Sequence, residues 1–356
     1  MRMFRPPAMI TRRSTIGPLL GLALAMAAPS IASAQTYDVI IRNGRVIDGT
    51  GNPWFLADVA LDGDRIAAMG DLRAARAERD IDATGLYVTP GFIDAHSHAG
   101  PGLASSGLSH GEPLLAQGIT TVVINPDGGG SVDLARQRRQ LLRDGLGVNV
   151  AQLVPHGSVR RAILGAEDRA PSAAEMEQMR GLVRRGMEEG AYGLSSGTFY
   201  VPGSYSDPEE IIDLAQVVAS FGGAYTSHIR DETDYSVGLV AAVEEVIDVA
   251  RRAGIPSVIT HVKALGPRVW GFGTVITRRI QAAREEGIEV YTDQYPYPAS
   301  ATGLSASLLP RWSQAGGADS LMARFDRPGT MADIRSAMVE NLARRGGADR
   351  IQFRRV

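Results

Sequence analysis

Cysteine is absent from all 356 residues. Its absence excludes disulfide cross-links, thiolate metal sites and a cysteine nucleophile. Lysine is almost absent: of 37 basic residues only Lys263 is a lysine, and it stands two positions after His261. Chance allows this, and so does a need for one compact, mobile ammonium beside a histidine. No basic stripe exists either, which argues against nucleic acid or an anionic membrane as a partner. Histidine is scarce, six in all, and two of the six lie in one short stretch, "GFIDAHSHAG".

The one long apolar run is N-terminal. Arg2, Arg5, Arg12 and Arg13 precede "IGPLLGLALAMAA", which leads to "ASA" at Ala32–Ala34. A charged start, a short apolar segment and small residues at a cleavage site describe an export signal over residues 1–34, cut after Ala34. The expected location is periplasmic or secreted, with no stable membrane insertion after cleavage; an uncleaved anchor is the alternative. The Arg12-Arg13 pair in "TRRST" hints at twin-arginine export. The mature chain keeps 33 basic against 39 acidic residues, a net charge of −6.

The whole chain is 44% apolar with 41 glycines, which suits an α/β protein with many turns. Residues 35–88 read as a small antiparallel β unit, with a hairpin signal at Asn43-Gly44 and another at Asp62-Gly63-Asp64. From Tyr87 onward the texture changes. "LYVTPGFIDA" reads as a buried strand, followed by "ITTVVIN", "VAQLVPH", "AYGLSS", "AYTSHI", "SVITHV" and "IEVYTD". These recur about every 30–40 residues with amphipathic helices between them, the spacing of a (β/α)8 barrel. Ser172 and Glu175 form a capping box, Ser206-Asp207-Pro208 starts a further helix, and Gly254 ends one running from about Tyr235. Continuous apolar strands with helical crossovers predict a parallel sheet covered on both faces. A doubly wound sheet is the alternative, without a Gly-rich phosphate loop to support it. By this reading residues 89–304 are the barrel, with about seven strands. Residues 305–356 are a helical insertion and a truncated end of the barrel.

The histidines fall on this map at strand ends. His96 and His98, two apart in a strand, point the same way. His156, His228 and His261 close later strands. A barrel gathers such ends around one mouth, and several neutral imidazoles converging there describe a metal site, zinc by preference. Taken singly, each is as well explained as a hydrogen-bonded core histidine. Asp127 in "VVINPDGGG" is a candidate bridging carboxylate or a plain turn residue. Asp94 is a candidate for orienting a ligand.

"PGFIDAHSH", "QGITTVV", "GAYGLSSGTFYVPGSYS", "SHIRDE", "ITHVKALG" and "DQYPYPASATGL" resemble, in order, the amidohydrolase superfamily and its D-aminoacylase (N-acyl-D-amino-acid deacylase) branch. The likeness runs from about residue 37 to 305. It implies a metal-dependent (β/α)8 hydrolase joined to a small β-sandwich built from both chain ends, acting on a small N-acyl amino acid. It implies one or two zinc ions: His228 and His261 match the firmly held ligands, and His96 and His98 match a second, weaker pair. Lys263, Tyr295 and Tyr297 match positions near the substrate, with Arg230 and His156 as further pocket residues; Lys263 or Arg230 is expected to hold the substrate carboxylate. Two departures stand out. Asp127 occupies the place where the branch carries a cysteine ligand, and the aspartate that serves the family as general base, at the end of an eighth strand, has no counterpart here. The expectation is therefore a fragment, a barrel completed by another chain, or an inactive protein. Other amidohydrolase chemistry on cyclic amides or dipeptides stays open, as does the oligomeric state.

Overall fold

The computed structural model describes residues 36–353, and the export signal expected over residues 1–34 lies outside them. The described residues form two compact units that divide between Pro90 and Gly91. No helix among them is long and apolar enough to cross a membrane.

The first unit is a five-stranded sheet. Its strands are β1 (Thr36–Val46), β2 (Phe55–Asp62), β3 (Arg65–Gly70), β4 (Arg76–Asp82) and β5 (Tyr87–Val88). β2 and β3 make the expected hairpin at Gly63-Asp64. Two details differ from expectation. Asn43-Gly44 is not a hairpin turn: β1 runs straight through it with a bulge, Asn43 taking a left-handed φ of 59° while its N–H donates to Asp58 Oδ1 at 2.8 Å. Nor is the sheet purely antiparallel, because β4 and β5 pair parallel to β1. The link between β3 and β4 turns the chain back along the far side of β1. Arg42 fastens that link by donating to Leu72 O and Ala75 O while pairing with Asp80.

The second unit is a curled sheet of seven strands in the order β12-β11-β10-β9-β8-β7-β6, every neighbouring pair parallel. These are β6 (Phe92–Asp94), β7 (Ile119–Ile124), β8 (Asn149–Pro155), β9 (Gly193–Gly197), β10 (Ala224–His228), β11 (Ser257–Ile259) and β12 (Val290–Thr292). Sequence order equals spatial order, as successive βα units dictate. The expected first strand is in fact two, since Pro90 separates β5 of one sheet from β6 of the other. β6 is also exposed rather than buried: it pairs only with β7, and Ile93 is 67% accessible.

Helices cover the sheet's outer face and supply its core. Leu194 of β9, Tyr225 of β10 and Ile259 of β11 pack against Met179, Val183, Ile211, Leu214, Val246 and Ile247 from three successive helices, Ala173–Glu188, Pro208–Ala219 and Leu239–Ala253. The start signals work as read: Ser172 and Glu175 form the capping box, and Asp207 accepts from Glu210 N at 2.9 Å with Pro208 next in line. The helix ending at Gly254 begins at Leu239 rather than near Tyr235. The Asp231 carboxylate captures the N–H groups of Thr233, Ser236 and Gly238, which bends residues 231–238 into a loop instead. The sheet's centre is less apolar than expected. β9 is "GLSSG", and its Ser196 hydroxyl bonds Tyr225 OH and Ser227 Oγ at 2.7 and 2.9 Å.

Past β12 come the helices Leu304–Leu308, Gly317–Phe325 and Pro328–Arg344. They settle on the connections that follow β9 and β10, where Tyr205 OH donates to Arg311 O and Tyr235 OH to Ser307 O.

Leu214 has no accessible surface. Leu214→Ala leaves a cavity in the main core and is expected to lower unfolding stability by about 3 kcal/mol. Urea titration checks this, and an unchanged midpoint would show that the core closes over the gap.

Candidate metal centre

The centre lies at the C-terminal ends of β6, β7, β10 and β11. His96 and His98 follow β6, and their turn is set by His96 N donating to Asp94 Oδ1 at 3.1 Å. Asp94 thus shapes the backbone under the histidines. Asp127 follows β7 on a strained turn: Asn125 has φ 64° and Asp127 φ 55°, both left-handed. Three contacts hold that turn. Asn125 Nδ2 donates to Leu153 O, Ser195 Oγ donates to Asn125 O, and Gly128 N donates to Ser195 Oγ. Gly197 completes it, because a Cβ there would lie 2.2 Å from Asp127 O. His228 is the last residue of β10. His261 follows β11 with φ 36°, its N–H donating to the Asp293 carboxylate.

Asp127 is the hub. Its Oδ1 stands 3.4 Å from His96 Nε2, 3.6 Å from His261 Nε2 and 3.8 Å from His228 Nδ1, and its Oδ2 stands 3.2 Å from His98 Nε2. The first three separations are long for hydrogen bonds. They match the roughly 3.4 Å between two atoms bonded at about 2.1 Å to one tetrahedral ion. His96 Nε2, Asp127 Oδ1 and both nitrogens of His228 are buried without a hydrogen-bond partner. Buried polar atoms rarely go unpaired, so a cluster of them facing one point fits a metal ion. His98, 69% exposed, stands at the rim.

Glu232 is the residue that sequence reasoning passed over. It lies four positions after His228 in "SHIRDE", a spacing that returns a side chain to the same neighbourhood when a loop follows the strand. Its Oε1 is 3.1 Å from His261 Nδ1 and pairs with Lys263 Nζ, which in turn sits 2.8 Å from that same ring nitrogen. Two groups could therefore hold a cation: His96, Asp127 and His261, or His228, Glu232 and His261. The second already contains the Lys263 ammonium, so the Asp127 side is the better metal position.

The charges agree. Burial raises the Asp127 pKa, but the imidazoles of His261, His96 and His98 outweigh it and hold the carboxyl far below its usual range. Burial also opposes ionisation of Glu232, which His228, His261 and Lys263 nevertheless bring down to about 2. His228, buried, falls to about 4 and is neutral at pH 7, with one ring nitrogen free of a proton and available for coordination. His261 is raised to about 9 in spite of burial, because Asp127 and Glu232 flank its two nitrogens. A cavity of about 740 Å³ opens beside His98 and Asp127, lined by Ser97, Pro126, Tyr200 and Val201 among others.

Of the expected substrate contacts, Lys263 and Tyr295 are at the centre: Lys263 Nζ lies 5.4 Å from the Tyr295 ring centroid, and Tyr295 is 6.4 Å from the His261 ring. Tyr297 neighbours Tyr295 at 6.5 Å but is 71% exposed. Two expectations are corrected. Arg230 is not available for a substrate carboxylate, because Glu245 engages its Nε and NH2 at 2.7 and 2.6 Å and Ser204 O takes NH1. His156 does not face the pocket: it is fully buried, with Nε2 2.7 Å from Glu210, which also pairs with the buried Arg160. A strand-end histidine can turn inward when a helix supplies a carboxylate, and nothing in its spacing reveals that.

Residues 79–354 match the amidohydrolase family. The chain belongs to that family. As an amidohydrolase it is 38% identical over 296 residues to the N-acyl-D-glutamate deacylase of Alcaligenes xylosoxydans xylosoxydans, covering 75% of this chain and 58% of that protein. A solved D-aminoacylase, studied for its binuclear metal centre with one-metal activation and second-metal attenuation, superposes with a TM-score of 0.68 at 34% identity over 73% of this chain and 59% of that one. The N-acyl-D-glutamate deacylase from Bordetella bronchiseptica, solved with zinc and a phosphonate mimic of the tetrahedral intermediate, gives a TM-score of 0.69 at 33% identity over 87% and 70%. This amidohydrolase chain spans 58–60% of the length of the curated deacylases it matches.

The Glu210 carboxyl is lowered in pKa because, against burial, His156 and Arg160 favour its charge. A lowered pKa stabilises the fold above the unfolded value near 4.3, and that stabilisation is lost as pH falls through the folded value. Glu210→Gln is therefore expected to cost about 3 kcal/mol at pH 7, where it strands a buried arginine, and progressively less below about pH 4. Denaturant titrations at both pH values check this; a cost independent of pH would refute the ionic account.

Proposed function

We propose that this chain carries the metal-binding hydrolytic centre of an N-acyl-D-amino-acid deacylase, which releases a carboxylate and a free D-amino acid. The observation that carries the reading is the set of unpaired imidazole and carboxylate atoms meeting around Asp127 Oδ1. Two imidazoles and a carboxylate with an open side suit zinc. When bound, zinc supplies Lewis acidity toward an amide carbonyl and toward water. The deacylase assignment is supported by the similarity to N-acyl-D-glutamate deacylase and D-aminoacylase.

In this reading Asp127, His228 and His261 hold the ion, and His96 and His98 with Asp127 hold a second, more exposed one. Lys263 has three donors, one of which Glu232 accepts; with Nε2 on the ion, His261 Nδ1 keeps its proton and turns it to Glu232 at 3.1 Å rather than accepting from the ammonium. A remaining Lys263 donor, with the Tyr295 hydroxyl, would hold the substrate carboxylate. Burial and the negative Glu232 push Tyr295 up to about 12, so its hydroxyl stays protonated and donates at neutral pH. Glu232 fixes Lys263 and the ring orientation of His261 together. Neither carboxylate of the centre is suited to act as general base, since both are held ionised well below the range a base at neutral pH needs. No residue of this chain is assigned that task.

Zinc analysis and a substrate panel test the proposal on the full chain. Parent protein is expected to retain zinc on dialysis, Asp127→Asn to bind it at least about tenfold more weakly, and His228→Ala to lose it. The zinc-loaded parent is expected to hydrolyse N-acetyl-D-amino acids in preference to the L-forms. Zinc retention that is indifferent to both substitutions refutes the site, and turnover confined to cyclic amides or L-substrates refutes the deacylase reading.

A further inference from the structure

The His228 ring is held unlike most metal-ligating histidines. Such a ring usually donates its second N–H to a carboxylate or carbonyl, which fixes its rotation. Neither nitrogen of His228 has a hydrogen-bond partner among the described residues, and Glu232 Oε1 stands 3.9 Å from its Nε2. Its surroundings are aromatic: His261, Tyr200 and Phe199 lie at 4.5, 4.6 and 5.5 Å between ring centroids. The rotation of this ligand therefore depends on where Phe199 and Tyr200 are placed.

Arg311, 81 residues beyond Arg230, bonds the backbone of Phe199 and of Arg230. Its Nε donates to Phe199 O at 3.1 Å, in the connection after β9, and its NH2 donates to Arg230 O at 3.0 Å, in the connection after β10. Its guanidinium lies 4.7 Å from the Phe199 centroid and 6.0 Å from that of Tyr235. The nearby Asp231 makes no direct ion pair with it, its oxygens accepting from the amides of Thr233, Ser236 and Gly238. Burial lowers the Arg311 pKa and neighbouring Arg230 is a like charge, while the charge of Asp231 works the other way. A sunken guanidinium without a directly bonded carboxylate is costly, so the two carbonyls and two ring faces help that charge to keep it there.

We propose that Arg311 is a positioning residue for the metal centre: it locks the connection after β9 onto the connection after β10, fixes Phe199, and through Phe199 sets the rotation of the His228 ring. The proposal rests on reading the imidazole cluster as a metal site. A purely structural Arg311 would only fasten the helical segment after β12. Arg324 provides the comparison, since its NH1 holds Ser313 O and Ala315 O in that same segment at 3.0 and 2.6 Å.

The test loads the full chain with cobalt(II). Its visible spectrum and its affinity, by chelator competition, are recorded for the parent, Arg311→Met, Arg311→Lys and Arg324→Met, with metal-free melting alongside. Arg311→Met is expected to bind about tenfold more weakly with shifted visible bands, and Arg311→Lys, with a point-like head in place of the fork, to fall between it and the parent. Arg324→Met should keep the parental spectrum and affinity whatever its melting temperature. Parental behaviour of Arg311→Met overturns the proposal, as does an equal disturbance in Arg324→Met. Should Arg311→Met fail to fold, parental behaviour of Arg311→Lys overturns it in the same way. A parent that takes up no cobalt refutes the metal reading itself, and the role of Arg311 with it.

Discussion

A carboxylate taken out of water must be met by positive charge or by donors, and the arrangement of this chain follows from how Asp127 is met. Among the described residues no arginine or lysine pairs with it. Instead four imidazoles from three other strand ends close on its two oxygens. Imidazoles can be neutral, so they balance the charge fully only when protonated or when they share a cation with the carboxylate. His261 shows the first solution in the metal-free chain, where its raised pKa makes it the stand-in cation. An ion among the same atoms is the second.

The other buried charges near the centre are settled by separate means, which keeps them from competing for that ion. Glu232 has Lys263, Arg230 has Glu245, and Glu210 has Arg160 with His156. Asp231 needs no cation because three backbone N–H groups converge on it. Three consecutive residues after β10, Arg230 to Glu232, thus point three ways, each with its own partner, and the connection that follows His228 is anchored by them.

Much of this was legible in the sequence, and the limits have physical causes. The seven strands stood out because repeat length and strand-end histidines are local signals that a parallel barrel-like sheet turns into proximity. The strand-end signal pointed to His96, His98, His228 and His261, which do converge with Asp127, and it pointed equally to His156, which does not. Glu232 was missed because a loop residue's direction depends on turns that have no sequence period. His156 and Arg230 were misread because a polar residue near a site and one that is neutralised within the core look alike until the partners, Glu210 and Glu245, are placed by helices beyond. Asn43-Gly44 was misread because the same dipeptide serves a hairpin and a bulge, and the choice rests with Asp58 and Val88 across the sheet.

The turn at Asn125–Gly128 is shaped by main-chain contacts and by the bare α-carbon of Gly197, not by the side chain it presents. Aspartate is among the few residues that accept its left-handed backbone at small cost. Presentation and identity of the donor are therefore linked. Swapping oxygen for sulfur at position 127 would set a cysteine at a φ of 55°, which it accepts less readily than aspartate, so a drift from hard toward soft metals at this turn carries a backbone cost.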